Sequence, residues 1–262
     1  MLKKYAKIYI QLVNCAFSSY LSNRIDSLCF FLGKIIRFLF FLLLIISIFR
    51  FTENLAGYGI YEVIFFFLTF NFIDIAAQFL FRGVYTFKQS IILGYFDYIL
   101  SKPVNALFYI MNKLVDILDL IFLCLISAAI LYNFKFLAYK ISMQEIFLYI
   151  FFIFNAIVIV FALHVLIVAL SIRFYEADNL IWLYRDSLTV GRMPPEIFSD
   201  SIRFLFTVII PVFAMIAFPV KAALGILELK QAIFGIIFAF FIVIFSLWFW
   251  KSSLRYYSSA SS

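Results

Sequence analysis

Histidine occurs once in this 262-residue chain, cysteine three times, and charged residues make up only 13% of it. A single histidine, His164, excludes an HExxH zinc site and any multi-histidine cluster. Cys15, Cys29 and Cys124 show no CxxC spacing, and nothing suggests a disulfide framework. The eight glycines include no GxxxxGK[ST] loop, so the chain does not bind and hydrolyse ATP by that route. No nucleophile stands beside an obvious base, and no acidic cluster suits a phosphate-holding metal. The expectation is therefore a protein with no catalytic residue, no metal site and no cofactor of its own.

What is abundant is apolar. Hydrophobic residues make up 66% of the chain and the mean hydropathy is +1.10, against about 45–50% apolar in an average soluble domain. Lipid must be the solvent for most of this surface. The 38 phenylalanines accompany Ile, Leu and Tyr along every apolar stretch, as lipid-facing filler does. The net charge of +7 does not point to nucleic acid, because the cations are dispersed between apolar segments instead of clustering on one soluble face.

Six stretches approach the roughly 20 residues that cross a hydrocarbon core: 28–49, 59–81, 114–134, 146–171, 201–219 and 232–250. All should be helices, since open strand edges are not tolerated in lipid. The fold expected is an all-α, multi-pass integral membrane protein forming one transmembrane domain over 1–262. With the N-terminus in the cytoplasm, fourteen Lys and Arg fall in cytoplasmic segments, Arg192 and Arg203 among them. Five (Arg50, Lys135, Lys140, Lys221 and Lys230) fall outside, and Lys34 and Arg37 lie within the first span. The positive-inside rule then puts both termini on the cytoplasmic side of the cell membrane. Residues 1–27 lack the continuous apolar core and cleavage site of a signal peptide. Lys3, Lys7, Gln11, Asn14 and Ser18 form a polar stripe opposite Tyr5, Tyr9, Leu12, Val13, Ala16 and Tyr20, which predicts a helix lying in the interface. The external connections are short, whereas 82–113 and 173–200 are long, so the working surface is expected in the cytoplasm.

Ionisable groups within spans are functional candidates by default. Lys34, Arg37, Asp74, Asp116, Asp119 and His164 read as a polar belt in the cytoplasmic leaflet, with first-span cations neutralised by acids of the second and third spans. Such a belt could line a vestibule for substrate; structural ion pairing and snorkelling explain the same pattern and carry more weight. Glu62 lies near the outer end of its span and reads as interfacial.

The segment GYFDYILSKPVNALF, residues 94–108, breaks the oil. Ile91, Ile92, Tyr95, Phe96, Ile99 and Leu100 give an apolar face over about two turns. Gly94 offers a place for close approach by a neighbour, and Pro103 pushes Lys102 out of the helical region and stops the helix. A short amphipathic helix held between two spans can act as a lever.

This segment resembles the G-x-(L/F)-D-x-x-L-x-(R/K)-P element of six-span permeases of type-2 ABC exporters. A second stretch, GRMPPEIFSDSIRFLFTVIIPVFAMIAFP, is similar to that family's fifth-span region, with Arg192, Pro194, Pro195, Pro211 and Pro219 at the corresponding places. The resemblance implies a pair of permeases, identical or paralogous, served by separate ABC ATPase subunits that carry ATP and Mg. It implies that 82–113 holds the coupling helix between spans two and three, with Gly94, Asp97, Lys102 and Pro103 contacting the ATPase, and that 1–27 is the connecting helix beside it. Many members carry a re-entrant segment between spans five and six; only 220–231 is available here unless the Pro211–Pro219 region breaks and turns back. The alternative is an ion- or proton-coupled secondary transporter, with Asp74, Asp119 and His164 as its proton path. That reading calls for an inverted repeat, and spans one to three show no convincing similarity to four to six.

Overall fold

The computed structural model describes residues 2–22, 24–137, 141–174 and 179–258. Lys140 lies outside the described residues, as does the side chain of Tyr20. Among those described the chain is helical throughout, apart from turns and one isolated bridge between Leu55 and Tyr58.

Helix α1 (Leu2–Ser22) is amphipathic as its periodicity requires: Tyr5, Ile8, Tyr9, Leu12 and Val13 are half-buried, while Lys3, Lys7, Gln11 and Asn14 are exposed. Helix α2 (Arg24–Ile48) is apolar and mostly uncovered. Helix α3 (Ile60–Phe81) is the central pillar. Its start is fixed by Glu62, whose carboxylate accepts the Gly59 N–H at 2.8 Å, a backbone donor that the helix cannot satisfy itself. A 3-10 turn (Arg82–Thr86) leads to three short helices, α4 (Phe87–Ile92), α5 (Tyr95–Ser101) and α6 (Ala106–Asn112). Helix α7 (Ile117–Asn133) is capped by Asp116, which accepts the Leu118 N–H at 2.9 Å. Helix α8 (Met143–Arg173) starts from a Ser142–Glu145 capping box. Helix α9 (Leu180–Leu188) runs into 3-10 turns at Thr189–Arg192 and Pro195–Ile197. Helix α10 (Asp200–Phe204), a π turn (Leu205–Ile209), α11 (Val212–Ala223) and α12 (Leu229–Leu254) complete the chain.

The core lies where α3, α7, α8 and α11 meet, with α12 along α8. Phe65, Phe66, Ile73, Ile159 and Phe213 are among its fully covered side chains. The bundle has two ends. One gathers Tyr58, Asn133, whose side chain donates to the Tyr61 carbonyl, and Gly225 beside Glu145. At the other, Arg82 meets Asp116, and Arg173 donates to Ser252 and Ser253.

Among the described residues, four helical stretches are long and apolar enough to cross a membrane: Ile25–Ile48, Ile60–Ile92, Met143–Arg173 and Leu229–Leu254. Helices α6 and α7 form a pair bent by 71°, so the expected third span begins after a sharp break. The expected single span over 201–219 is replaced by two arms, Asp200–Ile209 and Val212–Ala223, bent by 99°. Pro211 is the physical reason: it lacks the N–H a continuous helix needs and disfavours helical geometry at Ile210, which adopts φ −114° and ψ 93°. Every residue of α11 is buried, Pro219 and Lys221 included.

Residues 185–198 run alongside α3 toward its N-terminus. Arg185 meets Asp74 at 3.7 Å, Arg192 sits 4.9 Å from the Phe70 ring, and Glu196 lies beside Tyr58. Lys221 then returns to Glu196. The stretch predicted as a cytoplasmic loop thus reaches the opposite end of the bundle.

Candidate coupling surface and intramembrane charge clusters

At the end that holds both described termini, the segment from Arg82 to Asn112 folds back on itself. Gly83 makes this possible: a Cβ there would lie 1.8 Å from the Ile110 carbonyl oxygen. Gly94 has φ +72° and open space where its Cβ would be. Its role is conformational, ending α4 and starting α5 through a left-handed residue, so the expected single helix is two. The expected apolar face divides with them. Phe96 and Ile99 are buried, while Ile92, Leu93, Tyr95, Tyr98 and Leu100 are exposed, Leu93 at 67% and Tyr98 at 64%.

The remaining candidate residues of this segment are held from several sides. Lys102 adopts extended backbone geometry ahead of Pro103, and its ammonium lies over the rings of Tyr98 and Tyr109 at 4.5 and 3.9 Å. Lys4 donates to the Pro103 carbonyl at 2.7 Å, Asn105 N–H donates to the Tyr5 hydroxyl at 3.3 Å, and Tyr5 packs edge-on against Phe108. Helix α1 thus lies along this segment. From the other terminus, Tyr257 packs on Phe96 at 4.7 Å. Burial, together with the neighbouring Asp97 carboxylate, pushes the Tyr257 hydroxyl up to about 12.

The structure divides the six belt residues among three places. Lys34 on α2 is ion-paired with the fully buried Asp119, which also accepts from Arg82 at 2.7 Å; Arg82 reaches Asp116 at 2.5 Å. Both acids lie at the N-terminus of α7, where the helix dipole favours negative charge. Asp74 belongs elsewhere, accepting from Gln78 at 3.0 Å and facing Arg185. Arg37, Asp74, Arg185 and Arg192 line one cavity of 120 Å³. His164 stands apart from both ion clusters. Its Nδ1 bonds the Val160 carbonyl at 2.8 Å, and the rings of Phe81, Tyr85 and Tyr184 surround it. Arg82, Arg185 and Arg192 were missed as cluster members because each falls in a segment whose hydropathy reads as a loop. The only available signal was an excess of intramembrane acid over nearby cation around Asp74.

At the opposite end, Glu196, Arg203, Lys221, Glu228 and Lys230 line a 500 Å³ cavity. Burial, then the charges of Glu196 and Glu62, raise the Tyr58 hydroxyl above the ordinary phenol range.

No curated protein matches the chain, and no solved structure does. The model of one family, described as ABC-2 family transporter protein, matches residues 35–261. That stretch takes in the segment 82–113, the cluster around Asp74 and the bent α10–α11 arm, and begins one residue after Lys34. Members of this family are the membrane components of ABC transporters and work with ATPase subunits. The chain belongs to the ABC-2 transporter permease family and is a multi-pass membrane permease.

Proposed function

We propose that this chain is the permease subunit of an ATP-driven exporter, with both termini in the cytoplasm and the segment 82–113 serving as the coupling element. The observation that carries the reading is the exposed apolar surface of Leu93, Tyr95 and Tyr98. It sits on short helices pinned by Lys4, Tyr5 and Tyr257. Exposed aromatic and aliphatic residues on a fixed scaffold suit a protein partner. Gly94, Asp97, Lys102 and Pro103 shape that surface more than they form it. ATP and Mg reside on the partner ATPase, and closure of an ATPase dimer biases the permease between states through differential contacts at this segment. The permease works as a pair, with itself or with a paralogue, and the uncovered α2 is the face available for pairing.

The path also has six crossings in this reading, but the fifth is 180–198. Nine α-helical residues, two 3-10 turns and the extended Met193–Pro194 link add up to roughly 30 Å. Residues 200–223 then form a re-entrant hairpin from the outer side. Arg203 joins the outer side and Arg185 and Arg192 fall within the membrane, leaving eleven Lys and Arg on the cytoplasmic side against six outside. The asymmetry required by the positive-inside rule survives.

The test is affinity purification from native membranes in mild detergent, with mass spectrometry of what accompanies the chain. A P-loop ATPase subunit near one-to-one ratio is expected, and Tyr98→Asp with Leu93→Asp should release it without loss of the permease from the membrane. A chain that purifies alone and moves substrate in ion-loaded vesicles without ATP would overturn the proposal.

A further inference from the structure

The cavity between α2, α3 and α9 has a charge imbalance that the ABC mechanism does not explain. Three guanidinium groups, of Arg37, Arg185 and Arg192, line it with two carboxylates, of Asp74 and Asp186. Asp74 is already engaged by Gln78 and Arg185, and Asp186 is exposed. Among the described residues no carboxylate pairs with Arg37, and the buried Nε of Arg192 has no hydrogen-bond partner.

Depth makes the imbalance matter. Phe70 and Asp74 lie roughly 15 and 21 Å along α3, a helix about 33 Å long at 1.5 Å per residue. Unneutralised cations at that depth are costly and attract an anion from whatever phase can reach them. The volume of 120 Å³ equals about four waters at roughly 30 Å³ each, which fits one phosphate or carboxylate group. The walls select further. Arg192 lies 4.9 Å from the rings of both Phe41 and Phe70, and the half-exposed Trp182 forms part of the rim. Guanidinium forks pair with planar or tetrahedral oxyanions in bidentate fashion, while the aromatic rim suits an apolar body attached to them.

We propose that this cavity receives the anionic head group of the transported molecule, a phosphate or carboxylate carried on an apolar body. This deepens the permease reading and rests on it. The cavity's position midway between the two ends gives the head group a resting place on its way across.

The test uses the full chain purified in uncharged detergent, with tryptophan fluorescence as readout because Trp182 lines the cavity. Dihexanoyl phosphatidic acid, inorganic phosphate and dihexanoyl phosphatidylcholine are titrated separately. Saturable binding of phosphatidic acid is expected, weakened at least tenfold in Arg192→Gln and in Arg37→Gln, with Lys230→Gln at wild-type affinity and phosphatidylcholine inert. Arg37 is exposed on α2, so its substitution separates charge loss from misfolding. Competing binding by inorganic phosphate assigns the site to a free oxyanion; phosphatidic acid alone assigns it to an amphiphile. Equal response to phosphatidylcholine, or undiminished binding in folded Arg37→Gln and Arg192→Gln, would overturn the proposal. Binding is read on the isolated chain, so its failure leaves ATPase association untouched, and loss of ATPase association leaves the binding result standing.

Discussion

Lys221 donates a hydrogen bond to Glu196 at 2.5 Å, although hydropathy assigns these residues to opposite sides of the membrane. Both are largely covered, with side chains 11% and 29% exposed. The pair ties the end of α11 to the turn that precedes α10, across the 99° bend between the two arms. Glu196 also faces Tyr58, at the end of the bundle where α3 begins.

The first prediction concerns sidedness. With Cys15, Cys29 and Cys124 replaced by Ser, a cysteine at Ile197, which is 40% exposed, should react with a membrane-impermeant maleimide on intact cells. A cysteine at Tyr98 should react only after permeabilisation. Protection of position 197 until the cells are opened would restore the loop assignment and remove the crossing over 180–198.

Asp119→Asn should lower stability markedly. It leaves Lys34 and Arg82 facing a neutral group, with the Lys34 side chain only 9% exposed. Breaking a buried pair from one side costs about 3–5 kcal/mol. The expected outcome is a lower yield of monodisperse protein and a lower melting temperature in detergent. Lys34→Met combined with Asp119→Asn should recover part of the loss. A double variant worse than the sum of the singles would show that the pair does not act by charge compensation.

Gly83→Ala should disrupt the segment 82–113 without preventing insertion. The added Cβ would lie 1.8 Å from a backbone oxygen that cannot rotate away, and forced shifts of this kind cost about 1–3 kcal/mol. Protease cleavage within 87–113 should accelerate several-fold in inside-out vesicles, while membrane content stays constant. Wild-type cleavage rates would mean that Arg82–Thr86 and α6 do not pack as closely as described.

Pro103→Ala should leave the chain inserted and impair coupling. The proline stops α5, and its carbonyl holds Lys4 of α1. The backbone effect on stability is expected to be within about 1 kcal/mol, whereas ATPase stimulation by the permease should fall several-fold. Normal stimulation by a normally folded variant would count against 82–113 as the coupling element.

The long apolar helices were legible because each carries its own instruction. α3, α8 and α12 extend within a few residues of the stretches 59–81, 146–171 and 232–250, and α1 shows the amphipathic stripe its spacing requires. Lipid enforces helix wherever an apolar run is long enough, so local hydropathy suffices there. The stretch 189–198 was not legible: its Gly, two Pro and charged residues carry the composition of a loop. In the proposed crossing, packing against α3 and the buried α11 would make such a segment tolerable, because neighbouring protein satisfies what lipid cannot. The belt was half-legible for the same reason. Lys34 and Asp119 could be paired by depth, but the partner of Asp74 came from α9, more than a hundred residues later in sequence.

By itself, then, the sequence determined the solvent, the helical class and the stop at Pro103, all consequences of local composition and backbone sterics. Tertiary structure alone decided that Glu196 meets Lys221 across the bend at Pro211, and that three arginines converge on one cavity with Asp74 and Asp186. Those outcomes depend on which helices pack side by side, and the free energy that selects them comes from burial and charge pairing between residues far apart in the chain.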